Sequence, residues 1–186
     1  RRFLLDRGEL PDSSLVAMIP ISVHDKSDRP GRNQVSGMFS ELHTNIADPA
    51  ERLMAIASAN TVAKQHSSAI GATLLQDWTQ FAAPAVFGVA MRVYASSKLS
   101  AAAPVHNLVV SNVPGPQIPL YLLGCEVKAM YPLGPIFHGS GLNITVMSLT
   151  GKLDVGLISC PELLPDLWPM ADDFTVALEE LLAARD

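Results

Sequence analysis

The sequence has 186 residues, of which 48% are hydrophobic and 17% charged, a balance that supports a packed core and excludes a chain disordered throughout. A formal charge of -5, with Lys and Arg scattered along the chain, excludes a general nucleic-acid surface. The two cysteines, Cys125 and Cys160, are too few and too isolated for a disulfide framework or a zinc site, and read as core residues of a reduced protein.

The opening, Arg1-Arg2-Phe3-Leu4-Leu5-Asp6-Arg7-Gly8, reads as the last turns of a helix stopped by Gly8. It lacks the long apolar segment of a secretory signal. A chain that opens inside a helix is expected to be a piece of a longer polypeptide. Leu15 to Val23 read as a strand, with Pro20 marking a bulge or an edge position. Residues 24–32, rich in Asp, Ser, Pro and Gly, form a solvated loop, and Asn33 to Leu42 a second strand.

Asp48-Pro49-Ala50-Glu51 is a helix start, with Asp48 as cap, Pro49 in the first turn and Glu51 at capping-box spacing. That helix should run to about His66, with Leu53, Ile56, Ala57, Asn60 and Lys64 along one side. Two more helices are expected over 69–81 and 84–98. The apolar stretch 81–95 is interrupted by Arg92 and is shorter than the roughly 20 residues a bilayer span needs, so it reads as a buried helix. A lipid-facing or tunnel-lining helix is the alternative there.

His106-Asn107-Leu108-Val109-Val110-Ser111-Asn112-Val113-Pro114-Gly115-Pro116 organises the rest. Leu108, Val109 and Val110 suit a strand covered on both faces. Pro114 and Pro116 cannot donate ladder bonds, so pairing should stop near Val113 and leave Ser111 and Asn112 at the strand end, facing a crevice. A turn capped by Asn112 is the plainer alternative. Residues 125–131 alternate like a strand, and 132–141 form a Gly- and Pro-rich loop. A hairpin follows, 142–148 and 153–159 about Thr150-Gly151, with Leu142, Ile144 and Val146 facing Leu153, Val155 and Leu157, and with Asn143 and Thr145 on the other side. The last helix, capped by Asp166, carries the apolar stripe Leu167, Met170, Ala171, Phe174, Leu178, Leu181 and Leu182, fit for packing on a sheet. The class is α/β, a mixed sheet covered by helices.

Chemistry is sparse. None of the five histidines (His24, His43, His66, His106, His138) stands at metal-ligand spacing. His24 and Asp28 have His-x-x-x-Asp spacing but lack a paired histidine and a following glycine, so they make a poor catalytic base. His138-Gly139-Ser140-Gly141 has neither the lysine of a P-loop nor the frame of a nucleophile elbow, and reads as a turn, with a loop shaped to let a ligand approach the backbone as the alternative.

Several motifs in order resemble the C-terminal half of the bacterial wax ester synthase/diacylglycerol acyltransferase family. They are Arg2-Phe3-Leu4-Leu5, Gly8-Glu9-Leu10-Pro11-Asp12, Leu15 to Val23, Asn33-Gln34-Val35-Ser36, Asp48-Pro49-Ala50-Glu51-Arg52-Leu53, Ser111-Asn112-Val113-Pro114-Gly115-Pro116, Leu142-Asn143-Ile144, Gly151 to Leu157, and Pro165-Asp166. Arg32 departs from the pattern, standing where many relatives have Asn directly after Gly.

The resemblance implies one half of a chloramphenicol-acetyltransferase-like, two-domain CoA-dependent acyltransferase, with residues 1–186 as its C-terminal domain. It implies acyl transfer from acyl-CoA, a substrate rather than a cofactor, to diacylglycerol or a fatty alcohol. The general base would lie in a His-His-x-x-x-Asp-Gly motif on an N-terminal half. Neither that motif nor the family's preceding Asn-Asp motif occurs in this sequence. No catalytic residue and no metal is therefore assigned. Ser111, Asn112, Pro114, Gly115 and Asn143 are the expected substrate-binding residues. The implied partner is the N-terminal half, or self-association into a homo-oligomer, with no nucleic acid. The implied place is the cytoplasm, at the periphery of the inner membrane or of lipid droplets. The rival readings are a non-enzymatic lipid- or droplet-surface module and an acyltransferase acting on another lipid alcohol.

Overall fold

A computed structural model describes residues 1–22, 35–69, 105–136 and 140–184. The His24/Asp28 pair, Arg32, Asn33-Gln34, the helices expected after residue 69 and His138-Gly139 lie outside the described residues. The elements are α1 (Arg2–Asp6), β1 (Val16–Ser22), β2 (Val35–Glu41), α2 (Pro49–Ala69), β3 (Leu108–Pro114), β4 (Tyr121–Leu122), β5 (Cys125–Glu126), β6 (Leu142–Leu149), β7 (Lys152–Ser159) and α3 (Trp168–Ala183).

Local chemistry sets the element ends. Gly8, at φ 68, closes α1: its N–H donates to Leu5 O (3.0 Å) and Glu9 N–H to Leu4 O (2.9 Å). That doubled bond is a Schellman stop, which needs the left-handed residue glycine supplies. Asp48 caps α2 as its sequence suggests, Oδ1 accepting Glu51 N–H at 2.7 Å. Asp166 takes Trp168 N–H at 2.9 Å from one residue before the α3 cap, Leu167.

The sheet has five strands in the order β2-β1-β3-β6-β7. Its inner strands β1, β3 and β6 are parallel, and β2 and β7 are antiparallel edges. Pro20 therefore sits on an inner strand rather than at an edge. Backbone groups of Val16 face β3, bonding Asn107 through its side chain and its N–H, each at 2.8 Å. By alternation Met18 and Pro20 face the same way. The β1–β3 ladder ends at Met18↔Val109, so the donor Pro20 lacks falls where pairing has stopped.

β3 continues along β6 for six pairs, from Val109↔Asn143 to Pro114↔Ser148. Pairing thus outlasts Val113 by one residue, because Pro114 needs only to accept. Leu108 and Val109 are buried, as a two-faced strand requires. The β6–β7 hairpin closes through Thr150 and Gly151, both at positive φ, with Ile144↔Leu157 and Val146↔Val155 facing as expected.

Register defines two faces. The helix face carries Ala17, Met38, Leu108, Leu142 and Ile144, with α1, α2 and α3 over it. The opposite face carries Val109, Asn143, Thr145, Asp154 and Gly156, crossed by a strap of residues 130–136.

Four expectations need correction. Residues 125–131 pair only as the two-residue β5, on β4, and continue as the strap. Cys125 is exposed on that small hairpin and Cys160 is half-buried, so neither is a core residue, although both are free thiols. The inward side of α2 is Ala55, Ile56, Ala59, Asn60 and Ala63, while Leu53 and Ala57 are exposed. Finally, α3 has no buried residue, because its stripe faces the sheet across an open cavity rather than packing on it.

Close approach explains Gly115. A Cβ there would lie 2.1 Å from Ser148 O, at the end of the β3–β6 ladder. Gly115→Ala should therefore lower stability by about 1–3 kcal/mol, the usual range for overpacking. A drop in the urea midpoint at unchanged slope checks this.

Candidate functional site

The parallel register decides where each candidate residue points. Ser111 pairs with Thr145 and Asn112 with Val146, and neighbours on a strand point to opposite faces. Ser111 is thus half-buried on the strap face with Asn143 and Thr145. Asn112 is exposed on the helix face, two residues past Val110. The structure does not bring Asn112 and Asn143 into one crevice. Asn112 also does not cap a turn: it lies inside β3, and its side chain makes no hydrogen bond among the described residues.

Asn143 is committed. It is 3% exposed, its Nδ2 donates to Pro135 O at 3.0 Å, and its Oδ1 accepts Thr145 Oγ1–H at 2.7 Å. Gly134 lies against it: a Cβ there would come within 2.5 Å of both amide heteroatoms. The buried Asp154 accepts Met130 N–H at 2.7 Å. Gly156 lets Pro132 O approach so closely that a Cβ would sit 1.7 Å from it. These residues clamp the strap, and Asn143, Thr145 and Asp154 each have a hydrogen-bond partner, as burial requires. Sequence reading placed Asn143 on the correct face but missed Asp154, Gly134 and Gly156. Glycines inside a strand and a Pro-rich loop were the available signal.

Pro114 and Gly115 build the end of β3. Gly115 N–H donates to Ser148 Oγ (3.3 Å), Gln117 Nε2 to Gly115 O (3.1 Å), and Gly151 N–H to Gln117 Oε1 (3.2 Å). The Pro-Gly-Pro exit is thereby tied to the tip of the β6–β7 hairpin. Beyond Met18↔Val109, β1 no longer pairs with β3, so the inner sheet opens at the carboxyl end of its parallel strands. Ligands in open α/β sheets favour this position.

A cavity of about 470 Å³ lies under α1 and α3 on the helix face. Leu15, Leu108, Leu142, Ile144, Met170 and Phe174 give it apolar walls. Arg2 stands at its edge, ion-paired with Asp173 (3.7 Å) and with Glu180, and ties α1 to α3. The cavity and Asn112 share one face. Leu108 and Asn112 are four residue steps apart along β3, or about 13 Å. That face thus offers a polar amide at one end and apolar space at the other.

Among the described residues, no group of His, Cys, Asp and Glu is placed to hold a metal ion. Ser140 is buried, and among the described residues its hydroxyl has no hydrogen-bond partner.

Residues 32–182 match the family model described as the WS/DGAT C-terminal domain. The chain belongs to this family. A Mycobacterium tuberculosis protein provisionally named a diacylglycerol O-acyltransferase is 57% identical over 186 residues, all of this chain and 37% of that protein. A second M. tuberculosis protein with the same kind of name is 37% identical over 188 residues, covering 99% of this chain and 37% of its own length. The wax ester synthase/diacylglycerol acyltransferase of Marinobacter aquaeolei VT8 superposes with a TM-score of 0.75 at 29% identity, over 97% of this chain and 39% of that one. The chain thus spans little more than a third of the relatives it matches, and its mixed α/β sheet is part of a chloramphenicol-acetyltransferase-like fold.

Two outcomes follow from the geometry. Asn143→Ala should destabilise by about 1–3 kcal/mol, because it strands the Pro135 carbonyl and the Thr145 hydroxyl; equilibrium denaturation measures it. Burial holds the His106 imidazole below the usual histidine range, with Nε2 enclosed and its ring 5.9 Å from that of Phe39. A lowered folded pKa favours the fold above the ordinary value and loses that contribution as pH falls through the lowered one. Stability should therefore fall as the pH drops below the ordinary histidine value of about 6.5, and His106→Gln should fall less steeply in the same melting series.

Proposed function

We propose that this chain is the C-terminal domain of an acyl-CoA-dependent O-acyltransferase that makes triacylglycerol from diacylglycerol, wax esters from fatty alcohols, or both. The observation that carries the reading is the match over essentially the whole chain to the WS/DGAT C-terminal domain and its relatives. Acyl-CoA enters as a substrate, and the chemistry needs no resident cofactor.

The general base belongs to an N-terminal half carrying the His-His-x-x-x-Asp-Gly motif. It takes the proton of the acceptor hydroxyl, and the oxygen attacks the thioester carbonyl. Polar donors fixed in place stabilise the tetrahedral oxyanion; its collapse breaks the C–S bond, and CoA leaves as the thiol with the proton the base took. This domain supplies the wall on which the substrates lie. Asn112, Pro114 and Gly115 meet the polar end at the opened strand ends, and Ser111 borders the same opening from the other face. Asn143 acts at a distance, by holding the strap. The cavity under α1 and α3 receives hydrocarbon, which its apolar lining and size suit.

Among the described residues, no helix is long and apolar enough to cross a membrane. We place the enzyme in the cytoplasm, peripheral at the inner membrane or at lipid droplets, where diacylglycerol is met. The rival lipid-surface module drew on residues 81–95, which lie outside the described residues.

The experiment is an acyl-transfer assay on the full-length protein. Labelled acyl-CoA should appear in triacylglycerol or wax ester when diacylglycerol or a fatty alcohol is supplied; no transfer to either acceptor would refute the reading. Asn112→Ala should lower turnover by about 10²-fold or more with an unchanged melting midpoint, since the residue is exposed. Ala177→Phe, which fills the cavity from α3, should shift preference toward shorter acyl chains or alcohols, read as the ratio of kcat/KM for long and short substrates.

A further inference from the structure

We propose that the arginine-lined end of the cavity under α1 and α3 binds the carboxylate of a free fatty acid, whose head lies at Arg52 and whose chain lies along the apolar walls. The proposal rests on the reading of this cavity as a hydrocarbon site, and it reverses the polarity of the occupant.

The cavity is not apolar throughout. Thr44, Arg52 and Asn107 line it where β1 and β3 begin, at the end of β3 remote from Asn112. Two of the three are committed to the backbone. Thr44 Oγ1 accepts Leu15 N–H at 3.0 Å, and Asn107 Oδ1 accepts Val16 N–H at 2.8 Å. Arg52 is only half committed. Its Nη1 donates to Ile46 O (2.8 Å) and Ala47 O (3.1 Å), which fixes the guanidinium in place. Nε and Nη2, the other edge of the fork, have no acceptor among the described residues, and no carboxylate there lies at ion-pair distance from Arg52.

Arg1 repeats the pattern. It lines the same cavity, is half-buried, and has its Nε enclosed without a partner. The two carboxylates of the cavity wall, Asp173 and Glu180, are both engaged by Arg2. The charges of Arg1 and Arg52 are therefore left over.

A guanidinium cannot relieve such a position by losing its proton. Nor does helix stability call for Arg52: a cation at the fourth residue of α2 runs against the helix dipole. A fixed cation with an open pair of N–H donors complements a planar carboxylate, which accepts two parallel hydrogen bonds.

Volume and lining select the rest of the ligand. At about 470 Å³ the cavity is at the lower end of small-molecule sites. That size suits one chain with a compact head rather than the two chains of a phospholipid. Leu15, Leu108, Leu142 and Ile144 continue from the arginines as an apolar wall. A single-chain amphiphile with a carboxylate head is the free acid that hydrolysis of an acyl-CoA thioester leaves behind. Bound here, it fills the space that the proposed function gives to the acyl chain, and competes with it.

Isothermal titration calorimetry on the full-length protein, without acyl-CoA or acceptor, tests the proposal with decanoate and 1-decanol. The two share a chain and differ in the head. At about pH 8, where the acid is ionised, decanoate should bind at least about tenfold tighter than the alcohol. Arg52→Gln should remove that margin and leave the affinity for 1-decanol unchanged. Arg52→Lys, which keeps the charge and loses the fork, should keep part of it. Arg1→Gln should narrow the margin without touching the contacts to Ile46 and Ala47. Equal affinity for acid and alcohol in the unaltered protein overturns the proposal, and that comparison needs no variant to fold. A margin that survives both Arg52→Gln and Arg1→Gln overturns it as well. Because binding is read without turnover, failure of the acyl-transfer assay and failure of acid binding are separate results.

Discussion

The ladder between β3 and β6 is the constraint on which the rest depends. Its six parallel pairs decide which side chains of the Ser-Asn-Val-Pro-Gly-Pro stretch face the helices and which face the strap. A slip of one residue would exchange the two faces and put Asn112 where Ser111 is. The slip is blocked at both ends. Val109 is buried at the start. At the finish Gly115 rests against the Ser148 backbone, with no room for a side chain between them. The signature is therefore a register lock, whatever it also offers to substrate in the proposed function.

The two faces divide the work by polarity. On the strap face, Asn143, Thr145 and Asp154 are buried and hydrogen-bonded, and Gly156 admits a carbonyl onto the sheet itself. Buried polar groups so paired fix one geometry and tolerate little change. On the helix face the surfaces are apolar and loosely closed: α3 stands off the sheet, held to α1 through Arg2, Asp173 and Glu180. A rigid polar face supports the strand ends, and an open apolar face can accept a flexible hydrocarbon.

Much of the fold was legible because local chemistry and tertiary structure agree. Asp48 with Pro49, Gly8 after a short helix, and Thr150-Gly151 between alternating strands each name their own boundary. The two faces of β6 could be read directly from alternation. What failed depended on distant partners. Pro20 looked like an edge residue, and only the early end of the β1–β3 ladder makes it tolerable inside a sheet. The inward side of α2 lies about one position from where its sequence points, because small alanines on two sides leave the periodicity ambiguous. Ser111 and Asn112 read as one site in the motif, although strand alternation alone sends them to opposite faces. Asn143 was seen as a residue that matters, but a crevice and a strap ask for the same amide. The choice between them came from Pro135 and Gly134, eight and nine residues away.

The proposed function puts lipid substrates along the helix face of this domain, head at the strand ends and chain toward α1 and α3. The most direct measurement is photocrosslinking of the full-length protein with an acyl-CoA that carries a diazirine in its acyl chain, mapped by peptide. The account predicts labelling of residues on β6 and α3 that line the cavity, among them Ile144, Met170 and Phe174, and its suppression by excess unlabelled acyl-CoA. Labelling that avoids β6 and α3, or that excess acyl-CoA does not suppress, would contradict it.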